Sequence, residues 1–218
     1  FGSCFTVSKS CWPKKVGGSM SQEQYQHGQI DRREFVKDLV LACPDALIVT
    51  GLGSPSYDVF AAADRPGNFY LWGAMGGAAA LALGVAIAQP HKSVLVITGD
   101  GEQLMGLGSL ASIGAQKLKN LSIVVLDNGH YGETGMQRSH TSLGTDLTAI
   151  AKACHLDWTL SVKESSGFRE IVKHVNARAG CGLANVLITA GEYPKILPPR
   201  DGAYMKNRFR DALGLKHF

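Results

Sequence analysis

Short, unbroken apolar runs alternate along the chain with longer stretches in which apolar residues recur every three or four positions. Residues 46–50, 69–72, 93–98, 121–127, 158–162 and 186–190 form the short runs, with the length and β-branched content of strands. Asp31-Arg32-Arg33-Glu34 carries a capping-box signature, and Phe35, Val36, Leu39 and Val40 follow it as one apolar helical face. Ser54-Pro55 has the chemistry that opens a helix, predicted through residue 62, and further helices are predicted over 74–88, 104–117, 147–154 and 168–178. Residues 128–145 read as a long polar loop without a regular pattern. The Pro- and Arg-rich tail beyond Pro194 is expected to pack on the outside.

Strands that are apolar throughout are buried on both faces. Alternating with helices, they specify an α/β fold: a doubly wound parallel sheet with helices on both faces. Such sheets bind ligands beyond the carboxyl ends of their strands. Three of those ends carry glycine here, at 51–53, 99–101 and 128–129.

Composition narrows the function classes. The 218 residues are 45% hydrophobic and 18% charged, as in a globular domain. The net charge of +4 is dispersed, so nothing points to nucleic acid. The longest apolar stretch, 74–88, falls short of the ~20 residues of a membrane span and reads as a buried helix. Five cysteines at 4, 11, 43, 154 and 181 show neither a C-x-x-C pair nor metal-ligand spacing. That pattern implies idle thiols in a reducing, cytoplasmic compartment. Residues 1–19 differ in character and precede Met20; they are expected to be a leader outside the fold, which then occupies 20–218.

Candidate chemistry centres on Gly99-Asp100-Gly101, between an apolar strand and a helix. N–H groups at such a junction favour a phosphate. The aspartate would repel it unless a divalent cation intervenes, and Mg²⁺, which bridges carboxylates to phosphates, suits the place. After Gly101 come 26 residues, enough for one helix and one strand, and then Asn128 at another strand end. An amide oxygen there can share the ion with Asp100.

This G-D-G-x26-N arrangement resembles the signature of thiamine-diphosphate enzymes. Gly73-Ala74-Met75-Gly76 is similar to the segment that holds the cofactor's pyrimidine in those enzymes. The runs Asp64-Arg65-Pro66-Gly67-Asn68-Phe69-Tyr70, Gly101-Glu102-Gln103-Leu104-Met105, 126–135 and Pro198-Pro199-Arg200-Asp201-Gly202 resemble sulfopyruvate decarboxylase β subunits and the matching half of phosphonopyruvate decarboxylases. The likeness spans about residues 30 to 213.

The resemblance implies thiamine diphosphate and Mg²⁺ as cofactors. It places the metal on Asp100, Asn128 and the backbone oxygen of His130. The diphosphate falls to Gly99, Gly101, Glu102 and Gln103, with Gly53 and Ser54 in support. Gly73 would offer its carbonyl to the pyrimidine, Met75 would wedge the bent cofactor, and Tyr131 would flank it. Glu102 departs from the pattern, which more often has a small residue such as Ser there. Glu133 and His140, in the polar loop, are the candidates for substrate contact. His27, His91, His155, His174 and His217 share no spacing and are expected to be structural or exposed. Arg200, Lys206, Arg208 and Arg210 are expected to form a solvated surface.

In this family the glutamate that activates the cofactor comes from a pyrimidine-binding domain. No second domain of ~150 residues fits beside this one in the chain. The expectation is a hetero-oligomer in which a separate pyrimidine-binding subunit completes the active site. The implied activity is decarboxylation of a small 2-oxoacid with an anionic tail, without nucleic-acid or membrane partners. An acetolactate-synthase-like carboligase, a 2-oxoacid:ferredoxin oxidoreductase β subunit and a non-catalytic cofactor-binding subunit are the alternatives. The lone Cys43 argues against the second, which clusters cysteines for iron–sulfur centres.

Overall fold

A computed structural model describes residues 27–216. The expected leader, 1–19, and His217 lie outside the described residues. Asp31 accepts the Glu34 N–H at 3.0 Å and starts helix α1 (Arg32–Ala42), whose Phe35, Val36, Leu39 and Val40 are all buried. Strand β1 (Leu47–Thr50), α2 (Ser54–Ala62), β2 (Asn68–Tyr70), α3 (Ala78–Ala88) and β3 (Val94–Gly99) follow. Then come α4 (Asp100–Met105), α5 (Ser109–Gln116), β4 (Leu121–Asp127) and the small strands β5 (His130–Tyr131) and β6 (Gln137–Arg138). Helix α6 (Leu147–Ala153), β7 (Trp158–Val162), α7 (Phe168–Ala177), β8 (Gly182–Leu187) and α8 (Gly202–Ala212) complete the order.

Six strands make one parallel sheet in the order β2-β1-β3-β4-β8-β7. Successive strand residues point to opposite faces. Ile48, Leu95, Ile97, Val124 and Val186 therefore join the core under α1, α2 and α7. Their neighbours Leu47, Val49, Val94, Val96 and Ile123 join the core under α3, α5 and α6. This is the doubly wound sheet the unbroken apolar strands specify. Among the described residues no helix is long and apolar enough to cross a membrane.

Several boundaries differ from the sequence reading, each for a local reason. The helix expected from 74 starts at Ala78, because Gly73 (φ 71°) and Gly76 (φ 91°) turn the chain through left-handed conformations. It is buried only along Ala78, Ala79, Ala82 and Ala86, while Ile87 is 51% exposed. The helix expected over 104–117 begins earlier, at Asp100, and breaks between Met105 and Ser109. A Cβ on Gly106 would lie 2.1 Å from the Gly76 carbonyl oxygen, so the break admits the 73–77 turn. Gly53, not Ser54, caps α2, and the second strand is Asn68–Tyr70 instead of 69–72.

The strand expected at 186–190 is Gly182–Leu187, displaced because its glycine start slides under the Trp158 indole. The polar loop 128–145 holds the β5–β6 hairpin and two 3₁₀ turns. The tail contains α8, capped by Asp201, with Met205 and Phe209 buried. Arg208, expected at a solvated surface, hydrogen-bonds the Asp64 carboxylate and the Arg65 carbonyl. Cys43, Cys154 and Cys181 are unpaired, and burial pushes the Cys43 and Cys181 thiols up to about 11, so both are unreactive at neutral pH.

Candidate functional site

From β1 the chain crosses outward to β2, and from its neighbour β3 it crosses the other way to β4. The carboxyl ends of β1 and β3 thus form the topological switch point, where an open α/β sheet leaves a crevice. Gly51–Ser54 emerges from one strand and Asp100–Gln103 from the other. A cleft of about 350 Å³ opens there, lined by Ser54, Met75, Asp100, Gly101, Asn128 and Tyr131 among others.

Strand register brings the two halves of the motif together. Gly99 pairs with Leu126, so Asp100 and Asp127 leave adjacent strands side by side, with Asn128 next. Asp100 is 3% exposed, and Ser139 and Thr141 hydroxyls donate to its Oδ2 at 2.5 and 3.3 Å. Burial, and then the charge of Asp127, raise the Asp100 carboxyl to about 6. Asp127 is saturated: it accepts from the Gly129 N–H, Thr141 and Asn185, and His27 lies 3.0 Å away. The His130 N–H donates to Asn128 Oδ1 at 2.9 Å, and the His130 ring meets the Asn128 carbonyl at 2.8 Å. From this local turn Asn128 lines the cleft.

Tyr131 packs on Gly101, where an added Cβ would stand 2.8 Å from the ring. Its hydroxyl hydrogen-bonds His140 Nδ1 at 2.7 Å. His140 therefore stands behind Tyr131 and does not line the cleft. Glu133 does line it, beside Gly53 and 3.5 Å from Lys195. Met75 projects from the 73–77 turn, 43% exposed and close to Gly101. Glu102 also lines the cleft, and its carboxylate accepts the Leu52 N–H at 2.6 Å. The Gln103 side chain is buried and absent from the lining, so only its backbone is available there.

Residues 53–186 match the family described as "Thiamine pyrophosphate enzyme, C-terminal TPP binding domain". The chain belongs to this family. It is 42% identical over 135 residues to the sulfopyruvate decarboxylase subunit beta of Methanocaldococcus jannaschii, covering 62% of this chain and 71% of that one. It is 37% identical over 171 residues to the phosphonopyruvate decarboxylase of Streptomyces viridochromogenes, covering 76% of this chain and 42% of that one. The chain thus spans most of the β subunit but less than half of the phosphonopyruvate decarboxylase. The thiamine diphosphate-dependent 4-hydroxybenzoylformate decarboxylase of Rhodococcus jostii RHA1 shares the fold, with a TM-score of 0.63 and 21% identity over 76% of this chain and 34% of that one.

Around its switch-point cleft this TPP-binding domain carries groups that sequence reasoning missed. Arg32 and Arg33, read only as helix-start residues, both bind the fully buried Asp58 through their Nε atoms. Their guanidinium groups lie 4.9 and 5.2 Å from the centre of the Tyr193 ring. Two arginines share one carboxylate at this corner of the cleft, whose lining also holds Glu133 and Glu192. Tyr193 and Lys195 reach the site from the segment after β8, and only the fold reveals that approach. Asp127 had a usable signal, a carboxylate ending a fully apolar strand. Ser139 and Thr141 had none.

Proposed function

We propose that the chain is the diphosphate-binding subunit of a Mg²⁺- and thiamine-diphosphate-dependent 2-oxoacid decarboxylase. The substrate class is a 2-oxoacid with a second anionic group, of the sulfopyruvate or phosphonopyruvate type. A separate pyrimidine-binding subunit completes the site. One observation carries this reading: Asp100, Asn128 and Met75, from three separate turns, line one cleft at the switch point of the sheet.

The residues present fit the cofactor. Among the described residues no three His, Cys, Asp or Glu side chains gather as a metal site, so the ion must rely on amide and main-chain oxygens as well. Mg²⁺ accepts that oxygen set and leaves positions for phosphate. Asp100, Asn128 Oδ1 and the His130 carbonyl would hold it. A cation would also relieve the charge cost that burial and Asp127 impose on Asp100. Backbone N–H groups at the start of α4, with Gly53 and Ser54 opposite, would meet the diphosphate. The Gly73 carbonyl and Met75 would orient the pyrimidine, and Tyr131 would flank it. When bound, the cofactor supplies the electron sink for decarboxylation.

The chain's own groups orient and discriminate. Ser139 and Thr141 aim the Asp100 carboxylate. Arg32, Arg33 and Lys195 offer counter-charges to an anionic substrate tail, tempered by Asp58 and Glu133. The names of the β-subunit relatives support a partner chain. The test is to co-express the chain with a pyrimidine-binding partner and follow CO₂ release from a panel of 2-oxoacids. The pair should release CO₂ and form an aldehyde, fastest with sulfonated or phosphonated acids. Turnover by the chain alone at about 1–10³ s⁻¹, with partner excluded by mass spectrometry, would overturn the subunit assignment. A 2-hydroxyketone product would overturn decarboxylation as the main reaction.

A further inference from the structure

We infer that Glu102 is a positioning residue that ties the β1–α2 turn to the start of α4, and thereby sets the shape of the cleft. The inference rests on the reading of that cleft as the cofactor site. Glu102 is the third residue of α4 and only 4% exposed. A carboxylate facing the cleft would repel a diphosphate. This one is engaged by the β1–α2 turn, where Oε2 accepts the Leu52 N–H at 2.6 Å. Burial raises this carboxyl above the ordinary glutamate range, and the Leu52 N–H is the first group that opposes the shift.

The Leu52–Glu102 hydrogen bond joins two segments that line the cleft. Leu52 directly precedes Gly53 and Ser54. Glu102 itself stands two residues after Asp100. One side chain therefore links the segment assigned to the diphosphate with the one assigned to the metal.

Gly51 gives independent support. Its φ is not positive, so its backbone conformation does not demand glycine. A Cβ there would stand 1.9 Å from Glu102 Oε2. Gly51 lacks a side chain because Glu102 occupies the space. A buried carboxylate is costly unless hydrogen-bonded, and a small residue at 102 would leave the Leu52 N–H without this acceptor. The arrangement matches a charge retained to hold separate turns in one geometry.

The test uses the full 218-residue chain and its Glu102→Gln and Glu102→Ala variants, each checked for folding by circular dichroism. Glu102→Ser, too short to reach Leu52, stands in if the alanine variant does not fold. Hydrogen exchange at the Leu52 amide is measured without cofactor, and thiamine diphosphate with MgCl₂ is then titrated by calorimetry. In Glu102→Ala, Leu52 exchange should quicken and cofactor affinity should fall, each by about tenfold, the loss of a hydrogen bond to a charged group. Glu102→Gln keeps an acceptor for the Leu52 N–H and should restore affinity to within about threefold. Gly51→Ala should weaken binding in the native chain but add little in the Glu102→Ala background. Unchanged Leu52 exchange in Glu102→Ala, a glutamine variant as weak as alanine, or additive losses at 51 and 102 would each overturn the inference. A native chain that binds no cofactor even with a pyrimidine-binding partner present would instead count against the proposed function, and the Leu52 measurement would still decide the role of Glu102.

Discussion

Asp100 serves two opposed demands at the scale of a single residue. Burial and the neighbouring Asp127 raise its carboxyl from 3.8 to about 6. A folded-state value above the unfolded one means that the proton stabilises the fold. That contribution is complete below pH 3.8 and is lost as pH rises through about 6. At neutral pH the cation-free chain therefore carries an unfavourable charge. Asp100→Asn should raise the stability of the cation-free chain by roughly 1–2 kcal/mol, while Mg²⁺-dependent cofactor binding disappears. Calorimetric unfolding and titration of the same sample measure both, and a lower Tm would contradict the first half. Met75 makes the complementary case. At 43% exposure it contributes little to the core, so Met75→Ala should cost less than about 1 kcal/mol, well below the penalty for a buried methionine. If Met75 wedges the cofactor, turnover of the assembled enzyme should nonetheless fall by at least about tenfold. A variant with the full native rate would remove that role.

At the scale of elements, local chemistry decides where regular structure begins. Asp146 caps α6 by accepting the Thr148 and Ala149 N–H groups at 2.8 and 3.0 Å and the Thr148 hydroxyl at 2.6 Å. The Thr148 hydroxyl, followed by the Ala149 N–H, holds its carboxyl below 3.8. A depressed carboxyl stabilises the fold above its unfolded value, and that stability fades as pH falls below 3.8. Asp146→Ala should cost about 1 kcal/mol at neutral pH, with the gap narrowing in acid. Urea unfolding at two pH values would show whether it does. Strands β4 and β7 were legible to the residue because polar or turn-forming residues bracket their apolar runs. Helix α4 was not, since Gly-Asp-Gly reads as a loop until its Asp is seen to start a helix. The β5–β6 hairpin was equally hidden. Its paired residues, His130 with Arg138 and Tyr131 with Gln137, carry no apolar alternation.

At the scale of the whole molecule, the tail closes the structure over a distance no local pattern spans. The Trp72 indole N–H donates to the Pro199 carbonyl at 3.0 Å, and Phe209 packs edge-on against Phe69. Phe209 is 6% exposed, so Phe209→Ala should destabilise the chain by about 3–5 kcal/mol. A loss below 1 kcal/mol in denaturant titration would mean that α8 is only a loose appendage. The same scale governs the cleft, because Arg32, Asp58 and Tyr193 meet from three distant parts of the chain.

What the sequence determined by itself is the sheet and the neighbouring strand ends that carry Asp100 and Asn128. Unbroken apolar strands are buried on both faces, which requires helices on both sides. The 26 residues after Gly101, read as one helix and one strand, hold the rest of α4, all of α5 and β4, and return Asn128 beside Asp100. The tertiary structure alone decided which hydroxyls hold Asp100, where the Glu102 carboxylate points and which cations reach the cleft. Ser139 lies 39 positions from Asp100, and Leu52 lies 50 from Glu102. Periodicity specifies which face of an element is buried, but the partner of a buried polar group depends on strand order and register. Those are set by packing the whole chain at once.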